Sequence, residues 1–217
     1  MPILVEQNHL PGRSGCLEAL MRRFAVLMSA AVTMVAGCVV TSVCPYYTSK
    51  ELIHEPAIQG RWINCKNPAE TWTFDQPTNF ACRLTLAEET KATVLETHAF
   101  KLNGQVFLDL FSREQDYHVI PAHYLLRVDQ TAPSLKLSEL DDAWLTALLT
   151  NNPAAIRHHV VQNSGNPAAN RIILTASTAE LQEFVLRHLK NSEAWKHAFE
   201  LRPEKPPVET AQTKGLL

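Results

Sequence analysis

The sequence predicts a mainly β, α+β domain: an antiparallel β-meander forming a barrel or sandwich, with two amphipathic helices in its C-terminal half. Short runs of alternating or β-branched residues recur about every ten residues, and turn residues separate them, which is typical of a meander. Two later stretches show the apolar spacing of helices instead. The predicted strands are IQGRWI, ETWTF, CRLTLA, ATVLETHAFKL, QVFLDLF, HYLLRV and SLKLSEL.

A segment that begins at Met21, after an upstream extension of 20 residues, has the pattern of a secretory signal. Arg22 and Arg23 precede an uncharged run from Phe24 to Val35, which matches the basic head and apolar core of such a signal. A membrane-spanning helix needs roughly 20 apolar residues, and this core is shorter. An extension through Val43 would reach that length, so an uncleaved span and a buried helix are the alternatives to a cleaved signal.

The motif VAGC, which ends at Cys38, resembles the lipobox of bacterial lipoproteins. The resemblance covers residues 21–38 and implies cleavage between Gly37 and Cys38, with a diacylglyceryl group on the Cys38 thiol. It also implies a lipid-anchored protein of the cell envelope. Val39 follows the cysteine, and the sorting pattern of the family then favours the outer membrane, facing the periplasm, in a Gram-negative cell.

These features divide the chain into four parts. Residues 1–37 are an upstream extension plus the signal peptide, which we expect to be removed. Residues 38–56 should form a lipidated tether, and residues 57–200 a single β-rich domain. Residues 201–217 contain prolines and no aromatic residue, so we expect a disordered tail.

Composition excludes one class of partner. The full chain carries a net charge of −2, and the removed segment holds three Arg against two Glu, so the mature chain carries −3. Without a cluster of Lys and Arg, nucleic acid is not an expected partner. The expected partners are the membrane, through the lipid anchor, and either an envelope protein or an apolar small molecule.

Three cysteines besides Cys38 remain in the mature chain: Cys44, Cys65 and Cys82. Export to an oxidising compartment permits a disulfide, and Cys65 with Cys82 is the first choice because both lie inside the expected domain. The alternative is that they are small buried hydrophobic residues. The mature chain has no C-x-x-C pair, so neither a zinc knuckle nor a thioredoxin-like redox site is expected.

The two predicted helices have clear boundaries. SELDDAWLTALLT places Leu140, Trp144 and Leu148 at four-residue spacing, before a stop at Asn-Asn-Pro. STAELQEFVLRHLK opens with Ser177 and Glu180 in the positions of a capping box. Between the helices, AIRHHVV and RIILT flank a turn-rich stretch and predict a hairpin.

One hairpin can be read in register. Asn103-Gly104 is a favoured two-residue turn, so paired residues have numbers that sum to 207. His98 should then face Asp109 on one side of the sheet, and His123, at the start of the next strand, is able to join them. These three residues form a candidate polar cluster. Its function could be to bind a metal or transfer a proton. The alternative is structural: His98 and Asp109 would form a hydrogen-bonded pair that fixes the register of the strands.

Other chemistry has no support in the sequence. The four glycines of the mature chain lie far apart, and no G-x-S-x-G motif occurs, which argues against a phosphate-binding loop and a serine hydrolase. We therefore expect no enzyme, no catalytic residue and no cofactor.

Gly60-Arg61-Trp62 resembles the first strand of lipocalins and related calycins, in which the tryptophan closes one end of the barrel. The segments FLDLF, HYLLRV, LDDAWL and LTASTAELQEFVLRHL, within residues 60–189, resemble a group of bacterial lipoproteins to which no activity is assigned. The expected function is an interaction or scaffolding module of the envelope. A calycin-like binder of a small apolar ligand is the alternative, and a metal-dependent enzyme is the third.

Overall fold

The computed structural model describes residues 40–75, 81–112, 122–162 and 170–204. These residues form eleven strands and two α-helices, α1 (Asp142–Asn151) and α2 (Thr178–His188). The strands are β1 (Thr41–Ser42), β2 (Gly60–Asn64), β3 (Thr71–Asp75), β4 (Cys82–Glu88), β5 (Lys91–Leu102), β6 (Gln105–Phe111), β7 (His123–Gln130), β8 (Leu135–Leu140), β9 (His158–Val161), β10 (Arg171–Leu174) and β11 (Trp195–Pro203).

Eight of the strands form a closed antiparallel barrel. Strands β2 to β8 pair in sequence, and β11 lies between β8 and β2, which closes the ring. The predicted meander is confirmed, and the structure selects the barrel over the sandwich. Strand β11 was not predicted, because a β-bulge between His197 and Phe199 breaks its alternation of inward and outward residues.

Alternate residues of each barrel strand fill the interior. This inner core is apolar and includes Trp72, Phe74 and Leu108. At one end of the barrel a 3-10 turn, Pro56–Ile58, leads into β2. There the indole N–H of Trp62 donates to the carbonyl oxygen of Ile58 at 2.9 Å, and the Trp62 side chain is buried.

A second core lies outside the barrel wall. Phe100 and Phe107 belong to it, together with residues of both helices and of β10. Helix α1 buries Leu145 and Leu149. Helix α2 begins with the predicted capping box of Ser177 and Glu180 and buries the residues Leu181, Phe184 and Val185. The two cores explain why the β5–β6 hairpin carries apolar residues on both faces.

The expected tether is wrong from Val40 onward, because this segment packs against the barrel. Strand β1 pairs with β7 and with β10, and Val40 and Tyr46 are buried in the second core. A bridge joins Leu52 to Phe100. The segment contains apolar residues, and burying them against the barrel wall is favourable. For this reason the segment packs on the domain and does not form the expected tether.

The expected domain end at residue 200 is also wrong. Strand β11 continues to Pro203, and Leu201 is fully buried between β8 and β2. The rest of the predicted tail, residues 205–217, lies outside the described residues. Among the described residues, no helix combines the length and apolarity that crossing a bilayer requires.

The predicted Cys65–Cys82 disulfide is absent: both residues, like Cys44, are free thiols. Cys82 begins β4 beside the end of β3, whereas Cys65 follows the end of β2, which pairs with the start of β3. The strand spacings place the two residues about 20 Å apart. A disulfide requires Cα atoms within about 7 Å, so the fold prevents this bridge.

Candidate functional site

The predicted polar cluster lies on the outer face of the barrel wall. The register of the β5–β6 hairpin is confirmed, with His98 opposite Asp109 and Phe100 opposite Phe107. His123 begins β7, where it pairs with Phe111, two residues beyond Asp109. Because residues two apart in a strand share a face, His123 and Asp109 lie side by side.

Asp109 and His123 form a hydrogen-bonded dyad. Asp109 is fully buried, and its Oδ1 lies 2.6 Å from His123 Nδ1. Its Oδ2 accepts the backbone N–H of Tyr46 at 3.0 Å. The His123 ring stacks on Phe111 with centroids 4.7 Å apart. Both carboxylate oxygens therefore have a partner, as a buried carboxylate requires.

The third predicted member, His98, is directed elsewhere. Its Nε2 lies 3.3 Å from Glu96 Oε1, and its ring packs on Tyr47 at 4.8 Å. The described residues contain no group of three side chains able to hold a metal ion.

The side chains of Ser42 and Tyr46, which neighbour the dyad among the described residues, are fully buried. Ser42 lies opposite His123 in the β1–β7 ladder, but it is fully buried and its hydroxyl donates to the Cys44 carbonyl at 2.5 Å. Burial also holds the pKa of the Tyr46 hydroxyl well above its usual value. The arrangement suits a structural role, in which Asp109 fastens the chain near Tyr46 to the barrel wall.

A second polar group lies inside the barrel, at the end where β7 begins and β8 ends. The Tyr124 hydroxyl donates to Glu139 Oε2. Glu139 Oε1 lies 3.2 Å from Lys196 Nζ, which also lies 2.8 Å from Asp142 Oδ1. Tyr124 pairs with Leu110 and Glu139 pairs with Leu126, and both leucines belong to the inner core. Lys196 pairs in turn with Glu139. Since paired residues share a face of the sheet, all three side chains face inward.

Thr97 completes this group. It lies opposite Leu110, which lies opposite Tyr124, so the three residues form one row across β5, β6 and β7. Thr97 is fully buried, and its hydroxyl oxygen has no hydrogen-bond partner among the described residues. We call Thr97, Tyr124, Glu139 and Lys196 the polar layer.

The polar layer perturbs the ionisation of its members. Burial, and then the negative charge of Glu139, raise the pKa of the Tyr124 hydroxyl far above its usual range. Burial alone would lower the pKa of Lys196, but hydrogen bonds and charges from Asp142 and Glu139 outweigh it and raise that pKa to about 12. Tyr124 is therefore a neutral hydrogen-bond donor and Lys196 a fixed cation at neutral pH.

Buried polar groups continue around the same end of the barrel. Glu70, just before β3, accepts the Trp72 indole N–H at 2.5 Å and the Asn64 amide at 2.9 Å. Asn64 ends β2 and Trp72 faces the interior. Asn64 and Glu70 therefore add buried polar groups at the end of the barrel where β2 ends and β3 begins.

Sequence reasoning missed the polar layer, although β8 held a signal. In SLKLSEL, Glu139 has the same parity as Leu135 and Leu137, so a carboxylate occupies the apolar face of the strand. Tyr124 shares the parity of Leu126 and Val128 in the same way. Lys196 gave no signal because its strand was not predicted.

Comparisons of the chain with protein-family models, with curated proteins and with solved structures found no match.

Proposed function

We propose that this protein is a lipid-anchored bacterial envelope protein whose barrel binds a small, largely apolar molecule carrying a polar group, without catalysing a reaction. The observation that supports binding most directly is the Thr97 hydroxyl, which is buried in the barrel without a partner among the described residues. A buried hydroxyl costs free energy unless it is hydrogen-bonded. A ligand atom at the level of the polar layer would supply that bond.

The shape of the barrel agrees with this proposal. Eight strands enclose either a packed interior or room for one small ligand. The 3-10 turn that precedes β2, to which Trp62 is hydrogen-bonded, lies at one end, and Tyr124 and Glu139 lie toward the other. A ligand with an apolar body and a polar end would match this gradient, as the resemblance to calycins also suggests.

The location rests on Cys38 and the lipobox motif. Acylation of Cys38 would hold the barrel at a membrane surface, and Val39 favours the outer membrane facing the periplasm in a Gram-negative cell. Several acyl chains, each buried CH₂ contributing about 0.8 kcal/mol, make such attachment stable. Labelling cells with radioactive palmitate should mark the wild-type protein and leave a Cys38→Ser variant unmarked.

Binding is tested by native mass spectrometry of the full mature protein, purified from cells in mild detergent. We expect an adduct of defined mass that organic extraction removes. Thr97→Val keeps the shape and deletes the hydroxyl, so the apparent affinity for the re-added extract should fall about 2- to 10-fold. Thr73→Val, on a residue paired with Thr85 outside the apolar interior, is the matched control and should bind normally.

The interaction module is the second candidate, and one observation favours it. Large aromatic side chains contribute to the inner core, among them Trp62, Trp72 and Phe74. If no adduct is found and the Thr97→Val variant is as stable as the wild type, the barrel is a packed scaffold. Crosslinking in cells would then identify the envelope protein that its surface binds.

A further inference from the structure

The folded body begins only two residues after the predicted lipid attachment site. Val40 is 5% exposed, and Thr41 already pairs with β7 and β10. Consecutive Cα atoms are 3.8 Å apart, so the Cα of Cys38 lies at most about 7.6 Å from that of Val40. A lipid on Cys38 would therefore have almost no spacer between the bilayer and the domain.

We infer that strand β9 is the membrane-facing edge of the domain, and that Val160 and Val161 contact the lipid surface. This inference rests on the proposed lipid anchor at Cys38. The headgroup layer of one leaflet is about 5–8 Å thick, and the modified thiol would lie within it. The part of the domain around Val40 would then lie against the headgroups.

The register of the strands shows which surface this is. Thr41 pairs with Ile173 in the parallel β1–β10 ladder, so one step toward Cys38 brings Val40 level with Ile172. In the β10–β9 ladder, Ile172 pairs with Val160. Val160 is thus two strand spacings, about 10 Å, from Val40.

The chemistry of this edge fits a lipid surface. Strand β9 is the last strand of the sheet in the described residues. Val160 is 39% and Val161 41% exposed. As neighbours in one strand they point to opposite faces of the sheet, so they flank this edge on both sides. Val161 pairs with Arg171, which is exposed and cationic. Exposed apolar residues beside a cation are typical of surfaces that lie at the interface of anionic membranes.

Depth-dependent fluorescence quenching tests the orientation. The acylated full-length mature protein, in a Cys44→Ser/Cys65→Ser background, carries a thiol-attached fluorophore at Val161→Cys. It is reconstituted into vesicles of phosphatidylethanolamine and phosphatidylglycerol that contain a nitroxide headgroup lipid. Val94→Cys is the matched control, since Val94 is 49% exposed and lies on β5, five strands away along the sheet.

We expect quenching at position 161 to exceed quenching at position 94 at least threefold. Equal quenching, or stronger quenching at position 94, would overturn the inference. A dimer in detergent that Val161→Asp dissociates would also overturn it, because a second copy would then cover β9. The acylation of Cys38 is read separately from the mass of the N-terminal peptide, so failure of the anchor is distinguishable from failure of the orientation.

Discussion

Removal of the Asp109 carboxylate should destabilise the protein by disconnecting its N-terminal segment from the barrel. In Asp109→Ala, the backbone N–H of Tyr46 and the Nδ1 of His123 both lose the oxygen that they contact at 3.0 and 2.6 Å. Each buried polar group left without a partner costs about 1–3 kcal/mol. The expected loss in the free energy of unfolding is therefore about 2–6 kcal/mol.

The variant Asp109→Asn separates hydrogen bonding from charge. Its amide oxygen can still accept the Tyr46 N–H, and its amide N–H₂ can donate to His123 Nδ1 in the other imidazole tautomer. We expect the loss in the free energy of unfolding for Asp109→Asn to be less than half of the loss for Asp109→Ala. The control is Asp75→Ala, on an exposed residue at the end of β3, which should change stability by no more than about 0.5 kcal/mol.

Urea unfolding followed by circular dichroism gives the free energies, and thermal unfolding gives a second measure. At about 2–4 °C per kcal/mol for a domain of this size, Asp109→Ala should lower Tm by about 4–24 °C. A loss below 0.5 kcal/mol for Asp109→Ala would refute the fastening role of the dyad. An equal loss for Asp109→Asn and Asp109→Ala would show that the negative charge, and not the two hydrogen bonds, carries the effect.

Three further predictions concern other parts of the molecule. At pH 8, iodoacetamide should modify the exposed thiol of Cys65 rapidly, while the thiol of Cys82 should react only on unfolding, because burial raises the pKa of Cys82 to about 11. Equal rates of modification for the two thiols, measured by mass spectrometry, would contradict this prediction. The Arg157 hydrogen bond, the largest cause, lowers the pKa of Glu180 from 4.5 to about 2, so its stabilising effect is complete above pH 4.5 and is lost as the pH falls toward 2. A Glu180→Gln variant should show a weaker pH dependence of stability in that window, and an unchanged dependence would show that this carboxylate does not contribute. A chain truncated before Leu201 should lose at least as much free energy of unfolding as removal of a buried leucine costs, about 2–5 kcal/mol. A chain ending at residue 204 should unfold at the wild-type Tm. Equal Tm values for the two truncated chains would show that β11 closes the barrel without its last residues.

Local signals in the sequence were sufficient for the meander and for one complete register. Asn103 and Gly104 have φ values of 47° and 85°, which a two-residue hairpin turn with positive φ requires. That turn placed His98 and Asp109 in the correct pair. The sequence could not show that His98 would be directed to Glu96, because that choice depends on the packing of Tyr47, which is far away in the chain.

The parts that were missed depend on long-range contacts. Val40 and Tyr46 follow a signal-like segment, and nothing local reveals that a barrel wall and helix α2 will cover them. Strand β11 is bulged, and its partners β8 and β2 lie far away in sequence. The parity of Glu139 and Tyr124 was a local signal for the polar layer, but its members come from four strands that only barrel closure brings together.

The anchor at Cys38 supports both the proposed location and the orientation of β9, and one measurement tests it directly. Mass spectrometry of the N-terminal tryptic peptide of the membrane-extracted protein should find residues 38–50 with a diacylglyceryl group on Cys38 and a third acyl chain on its amine. A peptide containing any of residues 1–37, or an unmodified Cys38 thiol, would contradict the account.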